Sequence, residues 1–196
     1  MSAAARRAVD ATGVRIDWEV AELNPEIILK TGHSLPPHVL ESIEHTGVGL
    51  KGPVTTPIGS GYTSVNVALR KKLDLFANVR PVHSLPGVAT RFSDVNIDMV
   101  IFRENTEDLY AGLEHEVVKD VVTGLKVITR TASMRIAEYA FYYAAVNNRR
   151  KVTAIHKANI MKLADGLFLR CCREVAVSPA RIGHTFRLKT GLPMSW

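Results

Sequence analysis

Strand-like apolar runs alternate with helix-period runs along most of this chain, and few architectures accept that rhythm. Residues 2–12 suit a helix closed by Gly13. "VRIDWEVAE" (14–22) alternates and is β-rich, so it predicts a strand. "LPPHVLESIEHTG" opens with prolines and ends on Gly47, the asymmetry of a helix. A short strand at "VGL" then leads into a loop rich in Gly, Pro and Thr, and a helix begins near Ser64. "DLFANVRPV" and "NIDMVIFRE" predict two further strands. "LYAGLEHEVVKDVVTGLKVITRT" is β-rich on both sides of "KDVVTG" and predicts an antiparallel hairpin over about 108–131. "SMRIAEYAFYYAAVNN" predicts an amphipathic helix capped by Ser133. "KVTAIHKANI" is a strand with its exit, and "MKLADGLFLRCCREVA" a helix interrupted by Gly166. Such alternation implies an α/β layered architecture, with the sheet flanked by helices.

Composition narrows the partners. Hydrophobic residues make up 46% of the chain and charged residues 22%, a globular balance. No apolar run reaches the ~20 residues of a membrane span. The net charge of +6 is unevenly placed: the last twenty residues hold Arg181, Arg187 and Lys189 and no acid. Elsewhere acids and bases interleave, which fits a solvated surface better than a phosphate-binding stripe. Neither nucleic acid nor membrane is therefore an expected partner. Cys171 and Cys172 are adjacent on a predicted helix and point in different directions, so no disulfide joins them. A reduced, intracellular compartment follows as the expectation. From 177 the sequence loses both periods, and 177–196 reads as an unstructured or foreign tail.

Several places along the chain carry candidate chemistry. In "KGPVTTPIGSGYTS" the glycines let backbone amides approach an anion, and Ser64 opens a helix whose amides attract carboxylate. The same residues also fit a plain surface loop with an N-cap serine. Asn66 and Arg70, four apart, share a helical face. Arg80 lies in the next strand, and Arg103 ends another, where α/β folds open their ligand crevice. Singly, each arginine fits a surface ion pair. Together, three guanidiniums match a tricarboxylate, each able to hold one carboxylate through two hydrogen bonds. Tyr110 follows Arg103 by seven residues and suits either acid catalysis or aromatic packing. Lys157 follows a strand and suits proton transfer, with Asn159 beside it.

Three segments carry a resemblance. "LKGPVTTPIGSGYTSVNVALRKKLDLFANVRPV", "DMVIFRENTEDLYAGLEHE" and "VTAIHKANIMKLADGLFLRCCREVA" resemble the isocitrate/isopropylmalate dehydrogenase family, nearest its NAD-dependent isocitrate members. The likeness runs from residue 2 to about 176, and Ser64-Val65-Asn66 suits isocitrate, where an isopropylmalate enzyme would carry an apolar surface.

By position, the resemblance implies that Ser64, Asn66, Arg70, Arg80 and Arg103 bind isocitrate. It implies Thr55 and Asn159 at NAD or NADP, Tyr110 protonating the enol left by decarboxylation, and Lys157 assisting deprotonation in a partner's site. Mg²⁺ or Mn²⁺ is expected for the family, and its carboxylate ligands are expected to be missing from this chain. The implied fold is an incomplete dehydrogenase-like one. Residues 1–75 would be part of a large domain, 76–176 a small domain, and the 108–131 hairpin a dimerisation arm. A homo- or heterodimer is expected, in the cytoplasm or the mitochondrial matrix. The family opens earlier and continues for roughly another half-domain, so this chain alone is expected to be silent and poorly folded. The alternative is a non-catalytic subunit beside a full-length partner.

Overall fold

The computed structural model describes residues 2–22, 35–53 and 64–177, and the backbone of 187–191. Thr55, Thr56 and the glycines at 59 and 61 lie outside the described residues. The chain divides into two units, Met1–Asp74 and Leu75–Trp196.

In the first unit, α1 (Ser2–Asp10) ends where Gly13 turns to φ +83°, as its glycine predicts. The strand expected over 14–22 does not form. Alternation alone cannot hold a strand without a neighbour to take its backbone groups, and among the described residues none pairs with it. Val14, Ile16 and Val20 are accordingly exposed. The Trp18 indole instead donates to Asp10 at 2.8 Å. Helix α2 (Pro37–Thr46) matches its proline start and glycine stop: Gly47, at φ +71°, sends its amide back to the Ile43 carbonyl at 2.8 Å. The short strand expected at Val48–Leu50 is absent for the same want of a partner. Helix α3 (Val65–Lys72) begins after Ser64 at the N-cap and buries Val65 and Leu69, one turn apart.

Among its described residues the second unit holds six strands in three two-stranded sheets. Strands β1 (Ala77–His83) and β2 (Asp98–Glu104) pair antiparallel, Ala77 opposite Glu104 and His83 opposite Asp98. Strands β3 (Asp108–Val118) and β4 (Val121–Val127) form the expected hairpin. Its turn is tighter than "KDVVTG" suggests. Asp120 takes φ +65°, so Lys119 and Asp120 alone reverse the chain and Val121 already pairs with Val118.

Helix α4 (Arg130–Val146) buries Ala132, Ser133, Ile136, Ala137, Phe141 and Ala144, a stripe at helical spacing. Its cap is Thr129, whose hydroxyl accepts from the Ala132 amide at 3.2 Å, while Ser133 is buried one turn further in. The correction has a cause in Glu107. Its carboxylate takes both the Thr129 amide (2.9 Å) and hydroxyl (2.6 Å), fixing the cap one turn upstream of Ser133, whose amide donates to the Thr129 carbonyl at 3.1 Å.

Strand β5 (Lys151–Ile155) leads through α5 (Ala164–Ala176) to β6 (Arg187–Gly191), which runs parallel to β5. A helix crossover is what parallel pairing requires. The tail, read as aperiodic, therefore contributes a strand: an open edge on β5 supplied the pairing that five weakly patterned residues do not announce. Gly166 sits in the first turn of α5 and does not interrupt it. The core joins α4, α5 and β5 through Ala137, Phe141, Ala154, Cys172 and Val175. Against β1 and β2, Tyr139 meets Phe76 and Phe102 edge-on, with centroids 5.9 and 5.6 Å apart. The mixed helix-and-strand class is thus as expected, with the strands spread over three small sheets.

Candidate active site

The β1–β2 register decides how two of the arginines stand. Asn78 lies opposite Arg103, and Arg80 opposite Ile101. Cross-strand partners, and residues two apart on one strand, share a face of a β ribbon. Arg80 and Arg103 are therefore diagonal neighbours on one face. Arg80 is exposed, and its Nε donates to Asn78 Oδ1 at 2.9 Å. Arg103 is half-buried, and its Nη2 donates to Asn105 Oδ1 at 2.9 Å. Asn105 is itself 6% exposed and anchored by its amide to the Phe76 carbonyl at 2.9 Å.

Tyr110 belongs to the same corner. The Arg103 guanidinium carbon stands 4.7 Å from the centre of its ring. Of the two readings of this tyrosine, the contact bears on packing: the ring supports the arginine, and 42% of the residue remains exposed. The turn between β2 and β3 is built by Glu104. Its carboxylate accepts from the Thr106 amide (2.8 Å), the Thr106 hydroxyl (2.5 Å) and the Glu107 amide (2.8 Å). That turn sets the spacing between Arg103 and Tyr110.

Lys157 follows β5 in a tight turn. Its carbonyl accepts from the amides of Ile160 (3.0 Å) and Met161 (2.8 Å). Its amide donates to Asp165 Oδ2 at 2.6 Å. Asp165 Oδ1 receives the Lys126 ammonium at 2.6 Å, and Lys126 also lies 3.7 Å from Asp108. Burial pushes the Asp165 carboxyl up, but the Lys126 hydrogen bond and the Lys157 amide outweigh it and hold it below the ordinary carboxylate value. Lys126 is pushed down by burial and carried above its ordinary value by Asp165 and Asp108. Asn159 is exposed two residues beyond Lys157.

Ser64, Asn66 and Arg70 stand on α3 in the first unit, all half-buried. Arg80, Arg103, Tyr110, Lys157 and Asn159 belong to the second unit. Sequence reading passed over Asn105, Lys126 and Asp165. Only Asp165 had a usable signal, an acid on the apolar side of a helix, where carboxylates are rarely left unpaired.

Among the described residues, no three His, Cys, Asp or Glu side chains come together as a metal site. Asp98 is engaged by Arg149 at 2.5 and 2.7 Å and by His83 at 3.1 Å.

The sequence pattern of isocitrate/isopropylmalate dehydrogenases matches residues 3–184. The chain is 55% identical over 171 residues to the NAD isocitrate dehydrogenase catalytic subunit 5, mitochondrial, of Arabidopsis thaliana, covering 87% of this chain and 45% of that protein. It is 56% identical over 163 residues to the chloroplastic 3-isopropylmalate dehydrogenase of Solanum tuberosum, covering 83% and 45%. To the Arabidopsis regulatory subunit 1, mitochondrial, it is 63% identical over 142 residues, covering 72% and 38%. The crystal structure of isocitrate dehydrogenase from Methylococcus capsulatus aligns with a TM-score of 0.89 at 42% identity, covering 97% of this chain and 56% of that one. The chain thus spans about half the length of the curated relatives it matches. On this evidence of sequence and fold together, the chain belongs to the isocitrate/isopropylmalate dehydrogenase family.

Proposed function

We propose that this chain carries the substrate-gripping half of an NAD-dependent isocitrate dehydrogenase. The observation that carries the reading is the shared ribbon face of Arg80 and Arg103, with Tyr110 beneath Arg103. Arg80 and Arg103 bind two carboxylates of isocitrate; Ser64, Asn66 and Arg70 are assigned to the same substrate from the family resemblance of their segment alone. The reaction oxidises the alcohol, loses carbon dioxide and yields 2-oxoglutarate. Lys157 assists removal of the hydroxyl proton in a partner's site, and Tyr110 returns a proton to the carbon that carbon dioxide leaves.

NAD or NADP, when bound, accepts the hydride. Of its two candidate contacts, Thr55 lies outside the described residues and Asn159 is exposed beside Lys157. A divalent metal has no three-residue site among the described residues, so no step is routed through one. The reading expects the 196 residues alone to bind isocitrate without turning it over.

Pairing through the β3–β4 arm with a second chain, identical or different, completes the reading. Leu109, Val117, Val118 and Val122 on that arm are 61–69% exposed, an apolar surface that a partner would cover. The mitochondrial relatives support a mitochondrial location. Among the described residues no helix is long and apolar enough to cross a membrane.

One observation favours a second reading. The 63% identity to a regulatory subunit fits a non-catalytic partner of a full-length chain. Isocitrate-dependent NADH formation with Mn²⁺ tests the two. The first reading predicts no activity alone and activity when the remaining half is joined to the chain. The second predicts none in either form, with altered turnover of a full-length subunit mixed with it. Replacing isocitrate by 3-isopropylmalate should give no turnover; turnover there would move the substrate assignment to the other branch.

A further inference from the structure

Asp165 is a buried carboxylate on the first turn of α5 that the catalytic reading leaves unused. Its two oxygens serve two different tasks. Oδ2 takes the Lys157 amide, and Oδ1 takes the Lys126 ammonium, each at 2.6 Å. Lys126 comes from β4, 39 residues away in sequence, at the foot of the arm. We propose that Asp165 is a positioning residue for Lys157 and that Lys126 holds Asp165 in that role, tying the arm's base to the Lys157 turn. This rests on the reading in which Lys157 transfers a proton.

Three observations carry it. First, the backbone of Lys157 is held on both sides. Its amide is bound by Asp165, and its carbonyl by the amides of Ile160 and Met161. Among the described residues its ammonium makes no ion pair, so the anchor is fixed while the working end stays available. Second, an acid near a helix start is favourable by itself, which would explain Asp165 on α5. It does not explain a lysine reaching in from a hairpin, since withdrawing a carboxylate and an ammonium from water brings little stability over an apolar pair. The pair's return is geometric. Third, Lys126 also approaches Asp108 at 3.7 Å, two residues before Tyr110. The chain Asp108–Lys126–Asp165 thus connects the strand bearing one proton-transfer candidate with the turn bearing the other.

Amide hydrogen exchange on the 196-residue protein, read at Lys157 without isocitrate, tests the clamp. Asp165→Asn keeps the shape but leaves one oxygen for two donors. It should speed Lys157 exchange at least tenfold while Ala137 and Phe141, in the α4 core, keep their protection. Lys126→Met should act in the same direction, and Lys126→Arg should restore slow exchange. Unchanged Lys157 exchange in Lys126→Met, or an arginine variant no better than the methionine one, would overturn the proposal. Should Asp165→Asn lose core protection as well, Lys126→Met decides alone, because it alters only a partly exposed side chain. Isocitrate binding, measured separately, tests the substrate reading; its loss would leave the clamp standing, and loss of the clamp would leave isocitrate binding intact.

Discussion

The Arg103 guanidinium lies over the Tyr110 ring, its central carbon 4.7 Å from the ring centroid. The contact makes one unit of a substrate-binding candidate and an acid candidate. Tyr110→Phe keeps the ring face and should leave stability within about 0.5 kcal/mol. Tyr110→Ala removes the face at a partly exposed site and should cost about 0.5–1 kcal/mol. Urea unfolding of the three proteins checks this, and equal losses from Phe and Ala would place the energy in the hydroxyl instead.

Asn105 holds the other side of Arg103. Its side chain is buried and accepts from Nη2, while among the described residues nothing accepts from the Arg103 Nε. Asn105→Ala therefore deprives a half-buried guanidinium of its one direct side-chain acceptor here. A loss of about 1–3 kcal/mol is expected, the range for leaving such a donor unsatisfied. Isocitrate affinity should fall with it, although Asn105 touches no substrate in this reading. A variant as stable and as avid as the parent would show that Arg103 needs no such support.

Asp165 makes stability depend on acid. Its folded-state pKa lies below the ordinary carboxylate value, so the unfolded chain binds a proton first as pH falls. The contribution is complete above the ordinary value of 3.8 and is lost as pH drops through the lower folded value. Lys126, raised above 10.5, gives the mirror case: its contribution is present below that value and fades as pH climbs through the folded one. Melting temperatures taken across both limits should show each slope, and Asp165→Asn should flatten the acid one. Equal acid slopes in parent and variant would contradict the assignment.

Much of this was readable before any coordinates. Prolines at 36 and 37 with glycine at 47 bracketed α2, and the apolar period of α4 located its buried stripe. Other features depend on partners that sequence does not display. Residues 14–22 have strand alternation and, among the described residues, no strand to pair with, so no strand forms. Residues 187–191 have little alternation, yet lie along β5 and pair. Ser133 looked like a cap because nothing in its own neighbourhood announces Glu107, 22 residues upstream of Thr129, as the group that fixes the helix start. Lys126 was invisible for the same reason, and Asp165 showed only as an acid on the apolar side of a helix: the partner of each lies 39 residues away.

Cys172 should be chemically quiet. Burial, followed by the nearby Cys171, pushes its thiol up to about 12, and reactivity requires the thiolate. Cys171 is raised as well, chiefly by burial, and both are free. A disulfide-exchange reagent at pH 8 should label neither cysteine in the folded protein and both in denaturant. Rapid labelling of the native chain would show that the α4–α5 core opens readily.

The central claim is that Arg80 and Arg103, sharing one ribbon face, grip a polycarboxylate together. Calorimetric titration of isocitrate into the 196-residue chain tests it most directly, with Arg80→Met, Arg103→Met and the double variant alongside. The expected result is binding by the parent, at least a tenfold loss in each single variant, and no measurable heat from the double one. A parent that does not bind, or variants that bind as tightly as the parent, would contradict it.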